Sequence, residues 1–465
     1  MTSVDLLIVG AGPAGMAAAI EARRHGVDVL VVDDQPEPGG QIWRSVETVA
    51  AAPRGALLGK AYQAGKSVAE LFRASGAKYE PGTQVWQIEP GFRAFVTRNR
   101  QASTIQAKSI VLATGAQERP VPFPGWTLPG VLTVGAAQIL LKTSGQIPDK
   151  PVWVAGSGPL PLLYMVQLLR AGGRIAGYLD TTPPGRGRAT LPHLAKALGA
   201  AGDLLKGIAW LGMLRRAKVR IVKHVADIEA IGSERIEAVR YRTRNGQERT
   251  VPTEVLLVHE GVVPNIHATL ALGCAVEWSE SQDCYVPVLN GWGESSQSGI
   301  FLAGDGAGIA GAQAAVHRGT LAGLGVAMKL GRVSDRAAEE AARPVRQKLA
   351  RELALRPFLD ALYKPRPEVF APKDATIVCR CEEVTAGDIR AMAAMGRPGP
   401  NQVKAFTRAG MGPCQGRQCG YTVTQILAAA EGRPAKDVGF YRVRPPLKPV
   451  TLGELASLEQ QEKAS

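Results

Sequence analysis

The sequence lacks any uncharged apolar run of roughly 20 residues, the length that a membrane-spanning helix requires. Its most apolar window, Leu6–Ile20, is glycine-rich, shorter than that length and bounded by Asp5 and Glu21. The same window has no basic flank, which a secretory signal peptide would carry. We therefore expect a cytoplasmic protein without a transmembrane segment.

Acidic residues are fewer than basic ones, with 41 Asp and Glu against 55 Lys and Arg, so the formal net charge is +14. A basic surplus is typical of proteins that bind nucleic acid, membranes or acidic partners. Here the surplus is spread along the chain, and its denser stretches, 343–356 and 441–448, are too short for a nucleic-acid-binding arm. We therefore expect a diffuse basic surface and no nucleic-acid partner.

Low-complexity sequence is also absent. Gly and Pro account for 53 and 32 of the 465 residues, about 18% together, whereas disordered low-complexity chains reach roughly 25–30%. Hydrophobic residues make up 45% and charged residues 21%, which is the balance of a soluble globular protein. The length predicts two or three domains.

The first sixty residues match a dinucleotide-binding pattern. Val4–Val9 predicts a buried parallel strand, Ala14–His25 a helix that ends before Gly26, and Val27–Val32 a second strand. A βαβ unit of this kind, with a glycine-rich turn before its helix, is typical of proteins that bind a dinucleotide pyrophosphate. The turn supplies the candidate cofactor-binding residues Gly10, Gly12, Pro13, Ala14 and Gly15.

Each part of this turn has a physical role in nucleotide binding. Gly10 permits a tight turn, Gly12 lets the backbone approach a pyrophosphate, and Gly15 lets the helix pack close to the strand. The free N–H groups and the dipole at the helix N-terminus attract phosphates. Asp33, after the second strand, is placed to bind ribose hydroxyls, and the neighbouring Asp34 is the alternative ligand.

Three further segments resemble the glutathione-reductase-like flavoproteins, which have two dinucleotide-binding domains. They are the "GGQ" that follows the acidic pair, an "ATG" turn after a predicted strand, and "GIFLAGD" near residue 300. The resemblance implies FAD as the cofactor, with Asp305 bonding the ribityl chain and a helix over 310–318 aimed at the flavin. It adds these cofactor-binding candidates: Gly39, Gly40, Gln41, Ala113, Thr114, Gly115, Gly304 and Asp305.

One departure from that group is informative. Its disulfide reductases carry a redox cysteine pair near the flavin, whereas no cysteine of this chain precedes Cys274. Thiol chemistry at a site in the first half of the chain is therefore unavailable. We expect a protein that does not reduce disulfides.

A second nucleotide-binding unit is imperfect. Pro151–Ala155 predicts a strand, followed by a turn in which Gly156 and Gly158 are present but Pro161 replaces the third glycine. A proline is tolerated in a first helical turn, but its ring adds bulk where the helix should approach the sheet. Asp180 ends the next predicted strand. The pattern predicts a Rossmann-like domain and leaves open whether it binds NAD(P), ATP or no nucleotide.

Four late cysteines form the candidate metal site: Cys379, Cys381, Cys414 and Cys419. Four thiolates suit either a zinc ion or a [2Fe–2S] cluster, and the spacing alone leaves both open. Helices are predicted around them, and the second pair lies in the glycine-rich segment "MGPCQGRQCG". This segment resembles the bacterioferritin-associated ferredoxin-like [2Fe–2S] module in the variant found on amine-oxidising flavoproteins, which implies a [2Fe–2S] cluster.

The combination of motifs resembles one group across nearly the whole chain. These are the alpha, or A, subunits of bacterial heteromeric FAD-dependent amine and amino-acid dehydrogenases. The group includes opine oxidases, hydroxyproline and proline dehydrogenases, and the B subunit of hydrogen cyanide synthase. The resemblance implies an FAD-containing beta subunit that oxidises the amine and, in some members, an FMN at an interface between subunits and a small gamma subunit. A quinone or a small carrier would accept the electrons. Any contact with the inner membrane would be peripheral and would be made through that acceptor.

The predicted fold is α/β, with two Rossmann-like dinucleotide-binding domains and a small helical [2Fe–2S] domain. We expect the FAD domain in two parts, over 1–125 and 266–330, with the NAD(P)-like domain between them over 126–265. A linker over 331–374, the cluster domain over 375–440 and a tail over 441–465 follow. The sequence shows no catalytic acid–base pair, so catalytic residues stay unassigned. Two alternatives are a self-contained NAD(P)H-dependent flavin and iron–sulfur reductase, and a non-enzymatic iron–sulfur scaffold or nucleic-acid-binding regulator.

Overall fold

The structure is a computed structural model that describes residues 2–199, 201–396 and 399–462. The predicted domain boundaries also include Met1, Ala200, Arg397, Pro398 and 463–465, which lie outside the described residues. No helix among the described residues is both long and apolar enough to cross a membrane.

The first unit is built on a seven-stranded sheet. The strands of this segment are β1 (Thr2–Val9), β2 (Val29–Asp33), β3 (Lys78–Pro81), β4 (Gln84–Ile88), β5 (Arg93–Arg98), β6 (Gln101–Leu112) and β7 (Ala116–Glu118). The helices are α1 (Pro13–Arg24), α2 (Val46–Val49), α3 (Pro53–Leu58) and α4 (Lys60–Ala74). The sheet order is β3-β2-β1-β6-β5-β4, and a strand from a later segment lies beside β6. Strand β1 runs parallel to β2 and β6, and its central residues are fully buried.

The second unit combines a parallel and an antiparallel sheet. Its strands are β8 (Val131–Thr133), β9 (Val152–Ser157), β10 (Ile175–Asp180), β11 (Ile221–Val222), β12 (Val225–Ile231), β13 (Ala238–Thr243), β14 (Glu248–Pro252) and β15 (Leu256–Glu260). Its helices are α5 (Val134–Thr143), α6 (Pro159–Arg170), α7 (Arg186–Ala189), α8 (Leu194–Leu198) and α9 (Ala201–Arg216). The parallel sheet has the order β11-β10-β9-β15-β8, and the antiparallel sheet is β12-β13-β14. The alternation of strands and helices produces the parallel sheet, as the sequence pattern predicts.

The chain then returns to the first unit. The elements are β16 (Val262–Pro264), α10 (His267–Ala271), β17 (Val276–Ser279), β18 (Cys284–Pro287), β19 (Ile300–Leu302) and α11 (Ala312–Lys329). Strand β16 pairs with β7 in the two-stranded crossing, and β19 joins β6 where β5 leaves it. Helix α11 packs tightly on α1 because Gly319 and Gly323 face it; a Cβ there would lie 2.1 Å from Ala14 O and 2.5 Å from Ala18 O.

The predicted linker is folded onto both units. Helix α12 (Asp335–Leu353) packs on α11, and α13 (Arg356–Leu362) follows it. Beyond them, Arg366 Nε donates to Glu260 Oε1 at 2.8 Å, and both side chains are at most 5% exposed. Breaking a buried ion pair leaves an uncompensated charge, so this contact fixes the linker on the second unit.

The last domain is mainly helical. It contains β20 (Ile377–Cys379), β21 (Val384–Thr385), α14 (Ala386–Ala394), α15 (Pro400–Thr407), α16 (Gly420–Glu431) and α17 (Ala435–Val438), and the tail ends in α18 (Leu452–Glu462). Helix α14 begins with a capping box, in which the side chain of Thr385 accepts from Asp388 N and the side chain of Asp388 accepts from Thr385 N. The tail crosses back to the first sheet, where Leu447 N donates to Trp86 O at 2.7 Å.

Candidate functional site: a flavin cradle and a cysteine cluster

The glycine-rich turn of the first unit can contain only glycine at two positions. A Cβ on Gly15 would lie 1.8 Å from Gly10 O, and one on Gly10 would lie 2.5 Å from Ala113 O. Gly12 differs, because its φ of −72° suits any residue and its nearest neighbour, Gly40 Cα, is 3.8 Å from the Cβ position. Gly10 and Gly15 therefore shape the turn, while the absence of a side chain at Gly12 leaves room for a pyrophosphate to approach.

The predicted cofactor-binding segments meet at this turn. A Cβ on Gly40 would lie 3.0 Å from Gly12 Cα, and one on Gly304 would lie 2.9 Å from Ala14 Cβ. At the "ATG" turn, a Cβ on Gly306 would lie 3.4 Å from Gly115 N. Segments that lie far apart in the sequence thus form one cradle of closely packed backbone, in which added side chains would contact the neighbouring segments.

The two acidic candidates already have partners within the chain. Asp33 accepts hydrogen bonds from Ala11 N at 2.6 Å and from Gln35 N at 2.8 Å, and burial raises its pKa. Asp34 is paired with Lys448 of the tail. Burial acts to raise the pKa of Asp34, but the hydrogen bond and charge of Lys448 outweigh it and lower that pKa. Asp33 thus fixes the turn, and each of its oxygens keeps a second lone pair for a ribose hydroxyl.

The second FAD motif ends at Asp305, whose side chain binds the backbone that leads into α11. Asp305 Oδ1 accepts hydrogen bonds from Ala310 N at 2.9 Å and from Gly311 N at 3.0 Å. Arg318, within α11, donates to Gly304 O at 3.2 Å, and burial lowers the pKa of its guanidinium. Arg318 was not among the predicted site residues, although it is the last residue of the helix predicted over 310–318, which in the structure extends to Lys329.

A buried lysine supports the "GGQ" segment. Lys142 on α5 is 3% exposed, and its Nζ donates to Gln41 O at 3.0 Å, Ile42 O at 3.1 Å and Gln138 Oε1 at 2.9 Å. Burial lowers the pKa of Lys142 to about 7. The residue joins the second unit to the flavin cradle, and the sequence gives no sign of this beyond one lysine within an apolar helix.

The second glycine-rich turn retains its first constraint. A Cβ on Gly156 would lie 1.8 Å from His259 O, while Gly158 has φ +106° and no neighbour closer than 3.9 Å to its Cβ position. Pro161 is buried in the first turn of α6. His259, beside this turn, is held by Glu118 Oε1 at 2.7 Å from its Nδ1.

The four late cysteines lie together as two contacting pairs. Cys379 and Cys419 contact each other, Cys381 and Cys414 contact each other, and electrostatic interactions connect the two pairs. The contact with Cys419 lowers the pKa of Cys379 to about 6, and the same contact with Cys379 raises the pKa of Cys419. Gly410 N also donates to Cys379 Sγ at 3.5 Å.

The described side chains do not form a preassembled metal site. Within residues 2–199, 201–396 and 399–462, no three His, Cys, Asp or Glu side chains are grouped to hold one metal ion. A [2Fe–2S] cluster takes four cysteines, two for each iron. Four thiolates are the ligand set of either a [2Fe–2S] cluster or a tetrahedral zinc ion.

Three side chains of the flavoprotein units hold the backbone beside these cysteines. Gln117 Nε2 donates to Arg417 O at 2.8 Å, and Trp126 Nε1 donates to Ile377 O at 2.7 Å. His267 Nε2 lies 3.1 Å from Gln415 O, and burial lowers the pKa of His267 to about 4, so its neutral ring donates this bond. All three carbonyls lie close in sequence to a cysteine of the cluster.

Asn265 connects the His267 contact to the flavin cradle. Asn265, which precedes His267 closely, donates its backbone N–H to Gly115 O at 3.0 Å, and its carbonyl accepts from Thr114 Oγ1 at 3.2 Å. Phe440 packs against His267 with ring centroids 6.0 Å apart. A short bonded path therefore joins the predicted flavin-binding turn to the cysteine segment.

Comparisons with known proteins identify the family of the chain. The family described as pyridine nucleotide-disulphide oxidoreductase matches residues 4–319, which include every predicted FAD motif. The chain belongs to that family. Residues 373–458 also match the sarcosine oxidase A3 domain.

Relatives match the chain over nearly its whole length. The A subunit of opine oxidase from Rhizobium meliloti (strain 1021) is 44% identical over 98% of this chain and 99% of the relative. The HcnB subunit of hydrogen cyanide synthase from Pseudomonas aeruginosa is 34% identical over 97% of this chain and 98% of the relative. The protein is thus an FAD-dependent oxidoreductase of the same family as these subunits, which confirms the coarse form of the sequence prediction.

Solved structures confirm the mixed α/β flavoprotein fold. L-proline dehydrogenase from P. horikoshii has a TM-score of 0.72 at 21% identity, covering 98% of this chain and 79% of that chain. T. acidophilum thioredoxin reductase has a TM-score of 0.51 at 19% identity, covering 71% of this chain and 99% of that chain. The second likeness is one of fold, since no cysteine of this chain precedes Cys274.

Proposed function

We propose that this chain is the electron-relay component of a heteromeric dehydrogenase or oxidase that acts on a C–N bond. A partner beta subunit with its own FAD oxidises an opine, hydroxyproline, proline or a similar amine. This chain receives the electrons at its flavin cradle and passes them through the cysteine cluster to a quinone or small carrier. The names of the relatives, the A subunit of opine oxidase and HcnB, support this class of substrate and a heteromeric assembly.

The observation that carries the relay proposal is the docking of the cysteine segment on the flavin cradle. Gln117, Trp126 and His267 each donate to a carbonyl beside a cluster cysteine. Such contacts hold two redox groups at a constant separation. FAD accepts electrons in pairs and releases them singly, while a [2Fe–2S] cluster accepts one at a time, so the two groups suit a relay.

The residues of this chain have defined parts in the proposal. The turn around Gly12 and the N-terminus of α1 bind the pyrophosphate, and Asp33 and Asp305 bind sugar and ribityl hydroxyls. The cluster is held by Cys379, Cys381, Cys414 and Cys419. We also expect an FMN where the beta subunit docks, and in some assemblies a small gamma subunit.

The test is purification of the native complex with flavin, iron, zinc and acid-labile sulfide quantified. Reduction is then followed separately with NADH, NADPH and a panel of opines and cyclic imino acids. We expect a second flavoprotein to co-purify, about two irons and two sulfides per chain, and bleaching of the flavins by an amine only. Bleaching of the isolated chain by NADH or NADPH would instead assign it as a self-contained reductase. Zinc without iron, or DNA binding without flavin, would overturn the relay.

A further inference from the structure

An open cavity of about 600 Å³ lies outside both glycine-rich turns, between the edge strand β11 and the antiparallel sheet β12-β14. Five of its lining residues are basic, and no Asp or Glu occurs among the described residues that line it. Its size is in the range of small-molecule sites, roughly 300–1,000 Å³. The basic lining is Arg220, Lys223, His224, Arg244 and Arg249.

Strand alternation separates the basic side chains of the cavity from the carboxylates of β12. Arg240 and Arg242 of β13 point to one face, where they pair with Glu229 and Asp227 of β12. Tyr241 and its cross-strand neighbour Arg249 point to the opposite face, which lines the cavity. The carboxylates of β12 are therefore neutralised on the far side of the sheet, and the basic side chains of the cavity have no share in them.

Three of the basic groups are oriented by the protein. Arg220 lies over the Trp153 ring at 5.9 Å from its centroid and donates to Tyr241 Oη at 3.4 Å. Arg244 pairs with Glu368 at 2.6 Å, and His224 Nδ1 lies 2.9 Å from Thr182 O.

The other two basic groups are available to a ligand. Lys223 and Arg249 have no side-chain partner in the part of the chain that the structure describes. His224, next to Lys223, has φ +59°, a conformation that non-glycine residues rarely adopt. Lys223 and His224 thus line the same cavity as Arg249.

We propose that this cavity binds a small polyanion, a compound with two or more phosphate or carboxylate groups. A concave surface with charges of one sign focuses its field and concentrates counter-ions. Arginine forks suit the oxygens of either group. This proposal does not depend on the relay function, because no lining residue belongs to the flavin cradle or to the cysteine cluster.

Calorimetric titration of the full-length chain, with tripolyphosphate in one arm and citrate in the other, tests the site. We expect one saturable equivalent of at least one compound at low salt, weakened as salt rises. The double substitution Lys223→Gln and Arg249→Gln should weaken binding at least tenfold. The matched pair Lys60→Gln and Arg100→Gln, two exposed basic residues elsewhere, should leave it unchanged.

The outcomes separate the sources of the chemistry. Preference for tripolyphosphate assigns a phosphate ligand, and preference for citrate assigns a carboxylate ligand. Equal loss in both double variants, or binding without saturation, would overturn the proposal and leave a general effect of the net charge. Unchanged binding in the Lys223 and Arg249 variant would overturn it as well. Far-ultraviolet circular dichroism of each variant checks that the fold is intact.

Discussion

The two glycine-rich units share a turn but differ in what surrounds it. In both, the first glycine is fixed by a carbonyl, with its Cβ position 2.5 Å from Ala113 O for Gly10 and 1.8 Å from His259 O for Gly156. At the third position, Gly15 presses on Gly10 O, whereas Pro161 is buried in the first turn of its helix. The fold therefore requires the first glycine in both units, whereas the later positions determine how closely a ligand and the helix can approach.

The largest expected effect is from Gly15→Ala. Its Cβ would overlap Gly10 O, and overpacking of this kind costs about 1–3 kcal/mol, so we expect loss of FAD and a lower unfolding temperature. Pro161→Gly in the second unit is the matched change and should leave FAD content unchanged. Flavin absorbance after desalting measures both, and full FAD retention by Gly15→Ala would show that the two turns are equivalent.

Gly12→Ala separates the turn from its ligand. Its backbone accepts alanine, so we expect an unchanged unfolding temperature of the FAD-free protein but weaker FAD binding, because the methyl group enters the pyrophosphate approach. Titration of the FAD-free protein with FAD gives the affinity. Unchanged affinity would place the pyrophosphate elsewhere. A lower unfolding temperature of the FAD-free variant would contradict the statement that the turn accepts alanine at this position.

Cys414→Ser and Cys381→Ser test the cysteine cluster independently of the first unit. We expect iron and sulfide to be lost while FAD content stays constant. Cys274→Ala is the control, since Cys274 is buried in the sheet core and its thiol accepts a hydrogen bond from Ser295. Iron retained by both serine variants would contradict the predicted ligand set.

Trp126→Phe tests whether docking matters to the relay. It keeps an aromatic ring and removes the donor to Ile377 O, at a cost of about 0.5–1.5 kcal/mol. We expect slower flavin-to-cluster electron transfer in stopped-flow experiments with unchanged iron content. Trp86→Phe is the matched control, because the indole N–H of Trp86 is buried without a partner among the described residues. Equal rates in both variants would remove docking from the account.

Lys142→Met tests the contact between the two units through the pH dependence of stability. Burial holds the pKa of Lys142 at about 7 in the folded protein, below its unfolded value of 10.5. The unfolded chain therefore binds more protons between these values, and stability rises with pH across that window. We expect the variant to lose this rise in the free energy of unfolding, measured in urea from about pH 7 to pH 10. Parallel profiles would mean that Lys142 is not neutralised by burial.

Sequence alone predicted what depends on local backbone geometry. The strand, turn and helix around Gly10 and the parallel sheet of the second unit follow from neighbouring residues. The motifs also identified the segments that meet in the cradle, because the resemblance supplied their order.

Long-range polar contacts were beyond sequence reasoning. Five side chains acquire their roles from partners in other segments of the chain. They are Lys142, Arg318, Gln117, Trp126 and His267. A glutamine or lysine with such a partner has the same local pattern as one on the surface. The alternation that leaves Arg249 uncompensated likewise needed the strand register, which one sequence does not provide.

The most direct test of the relay is low-temperature electron paramagnetic resonance of the native complex, frozen after anaerobic mixing with its amine substrate. The account predicts the signal of a reduced [2Fe–2S] cluster with substrate but not with NADH. The complex with Cys414→Ser should still bleach its flavins without producing that signal. A cluster signal with NADH alone, or substrate turnover to the acceptor at full rate in the Cys414→Ser complex, would contradict the relay.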